Sequence, residues 1–128
     1  MAELDYAYLA DFASIEGGRL TAVGASFTHM MVSALPSQAS FAVAGRVRAP
    51  EGTPGFDLRL VITGPEQAWG LSLSGYIEAN DSLPYDGKIG MLFAARLNVA
   101  LTTRGVHAVE VHVNDEHVRT LKFAVDLA

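Results

Sequence analysis

Apolar and polar side chains alternate along short stretches of this chain, and each stretch ends at residues that favour turns. A period of two places successive side chains on opposite faces of an extended chain, whereas a helix needs apolar residues every three or four positions. The clearest stretch, Phe56–Thr63, therefore predicts a β-strand with one buried face. Its expected inward side chains are Phe56, Leu58, Leu60 and Ile62.

About eight extended segments of this kind recur at spacings of roughly ten residues, separated by Gly, Pro, Asn and Asp. Gly90–Ala100 is rich in helix formers, so a helix is the alternative there, but its alternation favours a strand. No crossover helix is indicated between segments, so βαβ units are not expected. The chain is predicted to be all-β, an antiparallel β-sandwich or a partly open barrel. The other segments include Phe41–Arg48, Trp69–Glu78, Met91–Leu101 and Val109–Val113, and the main loops are Ala49–Gly55 and Ala79–Gly87.

The length of 128 residues predicts a single domain spanning residues 1–128. A domain of this size buries roughly two-thirds of the surface of its unfolded chain, so it needs no disulfide or metal for stability. The sequence contains no cysteine, which excludes disulfides and thiolate zinc sites. We expect no cofactor.

The charge distribution bears on partners and on location. The nine Lys and Arg residues are scattered and the net charge is −5, which argues against nucleic-acid binding. Glu3, Asp5 and Asp11 lie where a signal peptide would have its apolar region. The longest uncharged stretch, Leu20–Gly45, contains turn and polar residues throughout, so it is better divided into strands than read as a membrane span. We expect a cytoplasmic protein without a membrane partner.

The N-terminal stretch Leu4–Gly24 predicts two strands joined by the loop Ser14–Gly18. Adjacent glycines at Gly17–Gly18 can take the positive φ angles that a chain reversal needs. The first strand is expected to have one large apolar face, with Asp5 and Asp11 on the other face. The apolar face would consist of Leu4, Tyr6, Tyr8, Ala10 and Phe12.

These strands contain Leu9-Ala10-Asp11, then Gly17-Gly18-Arg19-Leu20 and Gly24. In this pattern the chain resembles a family of small bacterial proteins of unknown function, in which Leu-Ala-Asp-aromatic-Ala precedes a Gly-Lys-Leu-like turn and a strand ending in Gly. The last hairpin departs from that family, which usually has Asp-Gly where this chain has Asn114-Asp115. The resemblance implies an all-β fold and brings no activity, cofactor or catalytic residue. It also extends over Leu35-Pro36, Gly105, Phe123 and Val125.

Two histidines are expected to face each other across the last hairpin. If its turn has two residues, His112 opposes His117 and Glu110 opposes Arg119. The alternation of the return strand reverses near Arg119–Thr120, which predicts a β-bulge. Opposed imidazoles could share a metal ion, but Glu110, the third ligand, is expected to pair with Arg119. We therefore expect a solvated polar face and no metal site.

No catalytic residue is assigned from the sequence. Asp5 and Asp11 share a strand face but lie ~20 Å apart at about 3.3 Å per residue, which is too far for a glycosidase pair. Asp11 is expected to accept hydrogen bonds near the Gly17–Gly18 turn or to pair with an arginine. Ser72 and Ser74 alternate on a polar strand face without the Gly-x-Ser-x-Gly pattern of a nucleophile elbow.

The segment Phe27–Val32 carries apolar side chains such as Met30 and Met31 on both faces. A two-layer sandwich can bury only one of these faces, and an exposed apolar patch usually marks an interface. The segment therefore predicts a two-fold homodimer through Phe27–Val32, unless a loop such as Ala79–Gly87 covers the patch.

Two functions from different classes fit the sequence. The first is a non-enzymatic β-sandwich protein that acts by protein binding or assembly. The second is a small-ligand-binding protein or an enzyme with a pocket at a sandwich edge, using Asp11, His107 or Ala79–Gly87. His107 occupies a position whose side chain is expected to point inward in the alternation, so a core histidine with a backbone partner is expected. The lack of a recognisable catalytic constellation favours the first function, and a shared pocket of Asp11 and His107 would favour the second.

Overall fold

The computed structural model describes residues 1–80 and 82–128, and its long regular elements are all β-strands. These residues contain ten strands, against about eight expected, and one 3-10 turn at Pro65–Gln67. Gly90–Ala100 lies within a strand, as expected. The predicted loop Ala79–Gly87 separates two strands, and Asp81 within it lies outside the described residues. The strands are β1 (Glu3–Ala10), β2 (Phe12–Glu16), β3 (Arg19–Val23), β4 (His29–Val32), β5 (Ser37–Pro50), β6 (Gly55–Thr63), β7 (Gly70–Glu78), β8 (Lys88–Leu101), β9 (Gly105–Val113) and β10 (Glu116–Leu127).

Two sheets form the layers of a sandwich. One has five strands in the order β4-β10-β9-β6-β7, and the other has three in the order β1-β5-β8. The pairs are antiparallel except β4, which runs parallel to β10. This confirms the all-β, sandwich-like fold that the alternation predicted.

The core lies between the two sheets, and both contribute their inward rows. Phe41 packs edge-to-face on Phe123 with ring centroids 5.4 Å apart, and Phe56 packs on Phe93 at 6.2 Å. Each pair joins a ring of one sheet to a ring of the other. The two layers are therefore fixed to each other by aromatic contacts as well as by apolar burial.

A separate hairpin of β2 and β3 lies against β5 and β8. Its Gly17–Gly18 turn has φ angles of 59° and 74°, which confirms the predicted reversal. The predicted loop Ser14–Gly18 is too long, because Ser14–Glu16 belong to β2 and pair with β3. The guanidinium of Arg96 lies 5.3 Å from the ring centre of Phe12. Because the hairpin covers part of the outer face of the three-stranded sheet, Ala42 and Ala44 are buried there as well.

The predicted set of residues on the apolar face of the first strand is wrong. The pairing of β1 with β5 shifts between Leu4 and Tyr6, so Asp5 is an extra residue and the faces after it are exchanged. Ala7 and Leu9 pack on the core instead, while Tyr6 and Tyr8 stack on each other. The chain also breaks at Asp11, which separates β1 from β2 in different sheets.

The expected exposed patch at Phe27–Val32 is also corrected. The ring of Phe27 lies 5.9 Å from both Phe41 and Phe123, so this side chain joins the core. Met30 packs on the core as well, and Met31 remains 59% exposed. Phe27 precedes β4 and is not constrained by its alternation, which is why a strict period of two misassigned it.

Candidate functional site at the β7 edge

β7 forms one edge of the five-stranded sheet, and eight of its nine residues are exposed. Leu73 of β7 pairs with Leu60 of β6, and both face the layer between the sheets. Leu60 is 1% exposed, whereas Leu73 is 42% and Leu71 is 41% exposed. A three-stranded sheet is narrower than the five-stranded sheet it covers, so β7 extends beyond it. The leucines of β7 therefore form an apolar row open to solvent.

Hydrogen bonds at both ends of the β6–β7 pair determine where the backbone of β7 points. Gly64 N donates to Trp69 O at 3.0 Å, and Ala79 N donates to Pro54 O at 2.8 Å. Both bonds continue the β6–β7 register, and bonded pairs recur at every second residue of an antiparallel ladder. The odd-numbered residues of β7 thus bond to β6, and the even-numbered ones point their N–H and C=O groups outward. These outward residues are Gly70, Ser72, Ser74, Tyr76 and Glu78.

The other sheet edges carry features that discourage pairing with another chain. β4 has only four residues, and the stretch of β10 that it leaves unpaired, Glu116–Phe123, contains a bulge at Val118 and three charged residues. β1 has the bulge at Asp5 and a second acidic residue, Glu3, and β8 lies beside the β2–β3 hairpin. β7 contains no proline and no register shift, and it has no charged residue from Gly70 to Ile77. Among the described strands it is the long edge without such protection.

A shallow groove of about 340 Å³ lies next to β7 on the five-stranded sheet. It places the guanidinium of Arg59 near two carboxylates and a hydroxyl, and apolar atoms also contribute to its lining. It contains neither of the two residues proposed for a shared pocket, His107 and Asp11. Its lining residues are Asp57, Leu58, Arg59, Ser74, Gly75 and Asp115.

His107 is fully buried, as expected for a core histidine with a backbone partner. Its Nδ1 lies 3.0 Å from the carbonyl oxygen of Gly105, so Nδ1 carries the proton and donates. Nε2 is then a buried acceptor without a protein partner, and the Nε1 of neighbouring Trp69 is also buried and unpaired in the described structure. His107 cannot meet a solvent-borne substrate in this arrangement.

Asp11 lies on the surface, at the base of the β2–β3 hairpin. Its backbone N donates to Val23 O at 2.9 Å, and its carboxylate lies against Gly24, where a Cβ would overlap it. The Gly17–Gly18 turn is at the other end of the hairpin, so the predicted hydrogen bonds to that turn are not formed. Asp11 and His107 line no common pocket in the part of the chain that is described.

His112 and His117 oppose each other as predicted, with ring centroids 5.1 Å apart. The predicted pairing of Glu110 with Arg119 is wrong. The bulge occurs at Val118, so Thr120 opposes Glu110 instead, and Glu110 Oε1 accepts from His112 Nε2 at 2.9 Å.

The remaining ring nitrogen of His112 is also occupied. Arg59 donates to its Nδ1 at 3.3 Å, so His112 is held as the tautomer with a proton on Nε2. His112 is buried and His117 is exposed, which makes this a partly buried polar cluster and not the fully solvated face expected. Within residues 1–80 and 82–128, no group of three His, Asp or Glu side chains could hold a metal ion. The absence of a metal site stays a prediction.

The carboxylate of Asp5 lies beside two arginines on the outer face of the three-stranded sheet. Arg46 Nε donates to its Oδ2 at 2.8 Å, and Arg48 Nε lies 3.7 Å from its Oδ1. The hydrogen bond from Arg46 lowers the pKa of Asp5; burial opposes this effect, and the positive charges of Arg46 and Arg48 add to it. The arrangement stabilises the bulge and is typical of a structural ion pair.

The edge at β7 was not identified from the sequence, although its strand and its faces were. One signal was present, because Gly70–Ile77 is uncharged and alternates Leu with Ser and Gly. That signal cannot distinguish an edge from an interior strand, since the order of strands in a sheet depends on contacts distant in sequence.

These features define the class of protein: an all-β, sandwich-like fold of two layers with one long unprotected sheet edge. A family profile matches residues 5–126, and the chain belongs to this family, described as a family of unknown function (DUF6941). The membership agrees with the resemblance at the N-terminal strands. The bacterial origin of the chain stays a prediction.

Other comparisons give no functional relative. Among curated proteins, none matches this chain. Among solved structures, it is similar to the Pseudomonas fluorescens alkylpurine DNA glycosylase AlkC bound to DNA containing an abasic site analogue, with a TM-score of 0.44 and 11% identity. The match covers 93% of this chain and 30% of the glycosylase. The chain spans less than a third of that enzyme, and a likeness of this size carries no argument about function.

The described residues include no helix that is long and apolar enough to cross a membrane.

Proposed function

We propose that this protein acts by binding another protein chain, without a catalytic step, through addition of a strand to the β7 edge. The observation that carries the proposal is the row of outward backbone groups on β7, flanked by exposed Leu71 and Leu73. An extended segment placed there would satisfy these N–H and C=O groups and cover the leucines. Backbone bonds would supply affinity, and the alternating side chains would supply selectivity.

The competing function, a ligand or enzyme pocket, has less support. Asp11 and His107 are separated, one at the surface and one sealed between Phe123 and Trp69. The groove beside Arg59 is shallow and open, whereas small-molecule sites bury most of their ligand.

A photo-activatable benzophenone side chain at position 72 would test this function in the cells that make the protein. Ser72 lies on β7, and Lys122 lies on a stretch of β10 that β4 leaves unpaired but that carries a bulge at Val118 and the charges of Arg119 and Lys122; both Ser72 and Lys122 are exposed on the same outer face. We expect cross-links to a polypeptide from position 72 and few from position 122. Equal yields at both positions, or none at position 72, would contradict strand addition at this edge.

A further inference from the structure

The β7 edge also indicates its occupant, an inference that rests on the proposed function. We propose that β7 pairs antiparallel with β7 of a second copy of this chain, across a two-fold axis at Ser74. The result is a continuous sheet of ten strands in which the two apolar layers adjoin. The predicted dimer surface at Phe27–Val32 is replaced by this edge, because Phe27 and Met30 are already packed in the core.

The register follows from the direction of the backbone groups. A two-fold axis perpendicular to the sheet keeps the inner faces of both copies on the same side. An even-numbered residue can therefore oppose only an even-numbered residue of the partner, and an odd-numbered residue only an odd-numbered one. Because the even-numbered residues of β7 point outward, they pair with even-numbered residues of the partner. β7 extends from Gly70 to Glu78, and its middle residue is Ser74. When the axis passes through Ser74, all nine residues of the strand are paired with residues of the partner strand.

The side chains complement one another in this register. Leu73 opposes Gly75 of the partner subunit, and a Cβ at Gly75 would meet no atom within 4 Å, so there is open space beside it for the leucine. Leu71 opposes the partner's Ile77, which extends the apolar row. Ser72 opposes the partner's Tyr76 on the polar face. Large and small side chains alternate across the junction, which favours close packing.

Charge selects a second copy over a highly charged partner. The protein carries a net charge of −5, so two copies repel each other at most orientations. The edge from Gly70 to Ile77 has no charge, and Glu78 of one copy opposes Gly70 of the partner subunit and not another carboxylate. β7 is therefore a surface at which two copies approach with little repulsion.

Sedimentation equilibrium at about 50 μM, far above the Kd of a stable homodimer, tests the pairing. We expect the parent protein at twice the chain mass of 13.6 kDa. Ser74→Pro removes an outward N–H and leaves the β6–β7 hydrogen bonds intact, because a proline on an edge strand loses only the N–H that faces solvent. The Ser74→Pro protein should therefore sediment as a monomer. Ser74→Ala keeps the N–H and should remain dimeric. A dimer that survives Ser74→Pro in a protein with an unchanged thermal melt would overturn the proposal.

Engineered cysteines test the register and do not depend on Ser74→Pro folding. The chain has no cysteine, so each variant carries one thiol. At the axis, two Ser74→Cys residues would have Cα atoms about 5.5 Å apart, within disulfide range. Two Ser72→Cys residues would lie about 13 Å apart along the strand, too far to bridge. On mild oxidation we expect at least about tenfold more linked dimer from Ser74→Cys. Equal linkage of both variants would overturn the register.

The outcomes separate this inference from the proposed function. A parent protein that remains monomeric overturns self-pairing, while cross-links from position 72 to a different polypeptide would leave strand addition at β7 intact. Absence of cross-links from position 72 overturns both.

Discussion

The imidazole of His107 lies nearly parallel to the ring of Phe123, with centroids 5.2 Å apart and planes inclined by 20°. The ring centroid of Trp69, the residue before β7, lies 5.8 Å from that of His107. His107 therefore fills the place of an aromatic core residue and also donates to Gly105.

We expect His107→Ala to lower the free energy of unfolding by on the order of 3 kcal/mol, because it leaves a cavity between two rings. His107→Phe keeps the ring contacts and removes the unpaired Nε2, and it loses one hydrogen bond of about 1 kcal/mol. Urea unfolding should therefore place the phenylalanine variant close to the parent. If both variants lose the same stability, the bond to Gly105 matters more than the packing.

Leu60 and Leu73 provide a test of how far β7 extends beyond the opposite sheet. We expect Leu60→Ala to cost about 2–5 kcal/mol, as for a core leucine. Leu73→Ala should cost less than about 1 kcal/mol, since the side chain is 42% exposed. The unfolding measurements belong at submicromolar concentration, so that association does not add to stability. Similar losses in the two variants would mean that Leu73 is covered within one chain.

The ion pair of Asp5 with Arg46 predicts a pH dependence of stability. The pKa of Asp5 is lowered by folding, so its stabilising effect is complete above the unfolded pKa near about 4 and is lost as pH falls through the lower folded pKa. Asp5→Asn should therefore melt at a lower temperature than the parent at pH 7, and the difference should narrow below about pH 4.

Glu3→Gln is the matched control for that experiment. Glu3 accepts from Arg48 at 3.0 Å and its side chain is 57% exposed, so its removal should change the melting temperature little. A difference between Asp5→Asn and the parent that stays constant down to pH 3 would show that the carboxylate charge is not its cause.

The reversal at Gly17–Gly18 predicts the effect of a β-branched side chain. Gly18 has a φ of 74° and open space around its Cβ position, so Gly18→Val is strained by its backbone alone, at about 1–3 kcal/mol. Thr21→Val on β3 places the same side chain in an extended backbone and should be nearly neutral. Thermal melts that do not separate the two variants would contradict this account of the turn.

Local pattern determined a large part of this fold. Alternation with a period of two identified the strands and the inward rows, because neighbouring side chains of a strand must lie on opposite faces. It placed His107 in the core, and a two-residue turn placed His112 opposite His117. These features depend on residues close in sequence, so the sequence alone was sufficient to predict them.

Tertiary structure decided the rest. The extra residue at Asp5 is visible only once β1 pairs with β5, and it exchanges the faces of Tyr6 and Ala7. Because of the bulge at Val118, Glu110 is hydrogen-bonded to His112 and is not paired with Arg119. The exposure of Leu73 arises because five strands face three, and the order of strands is set by contacts between distant segments. A repeated local alternation is the same for an interior and an edge strand, so only the assembled sheets show that β7 remains free to pair.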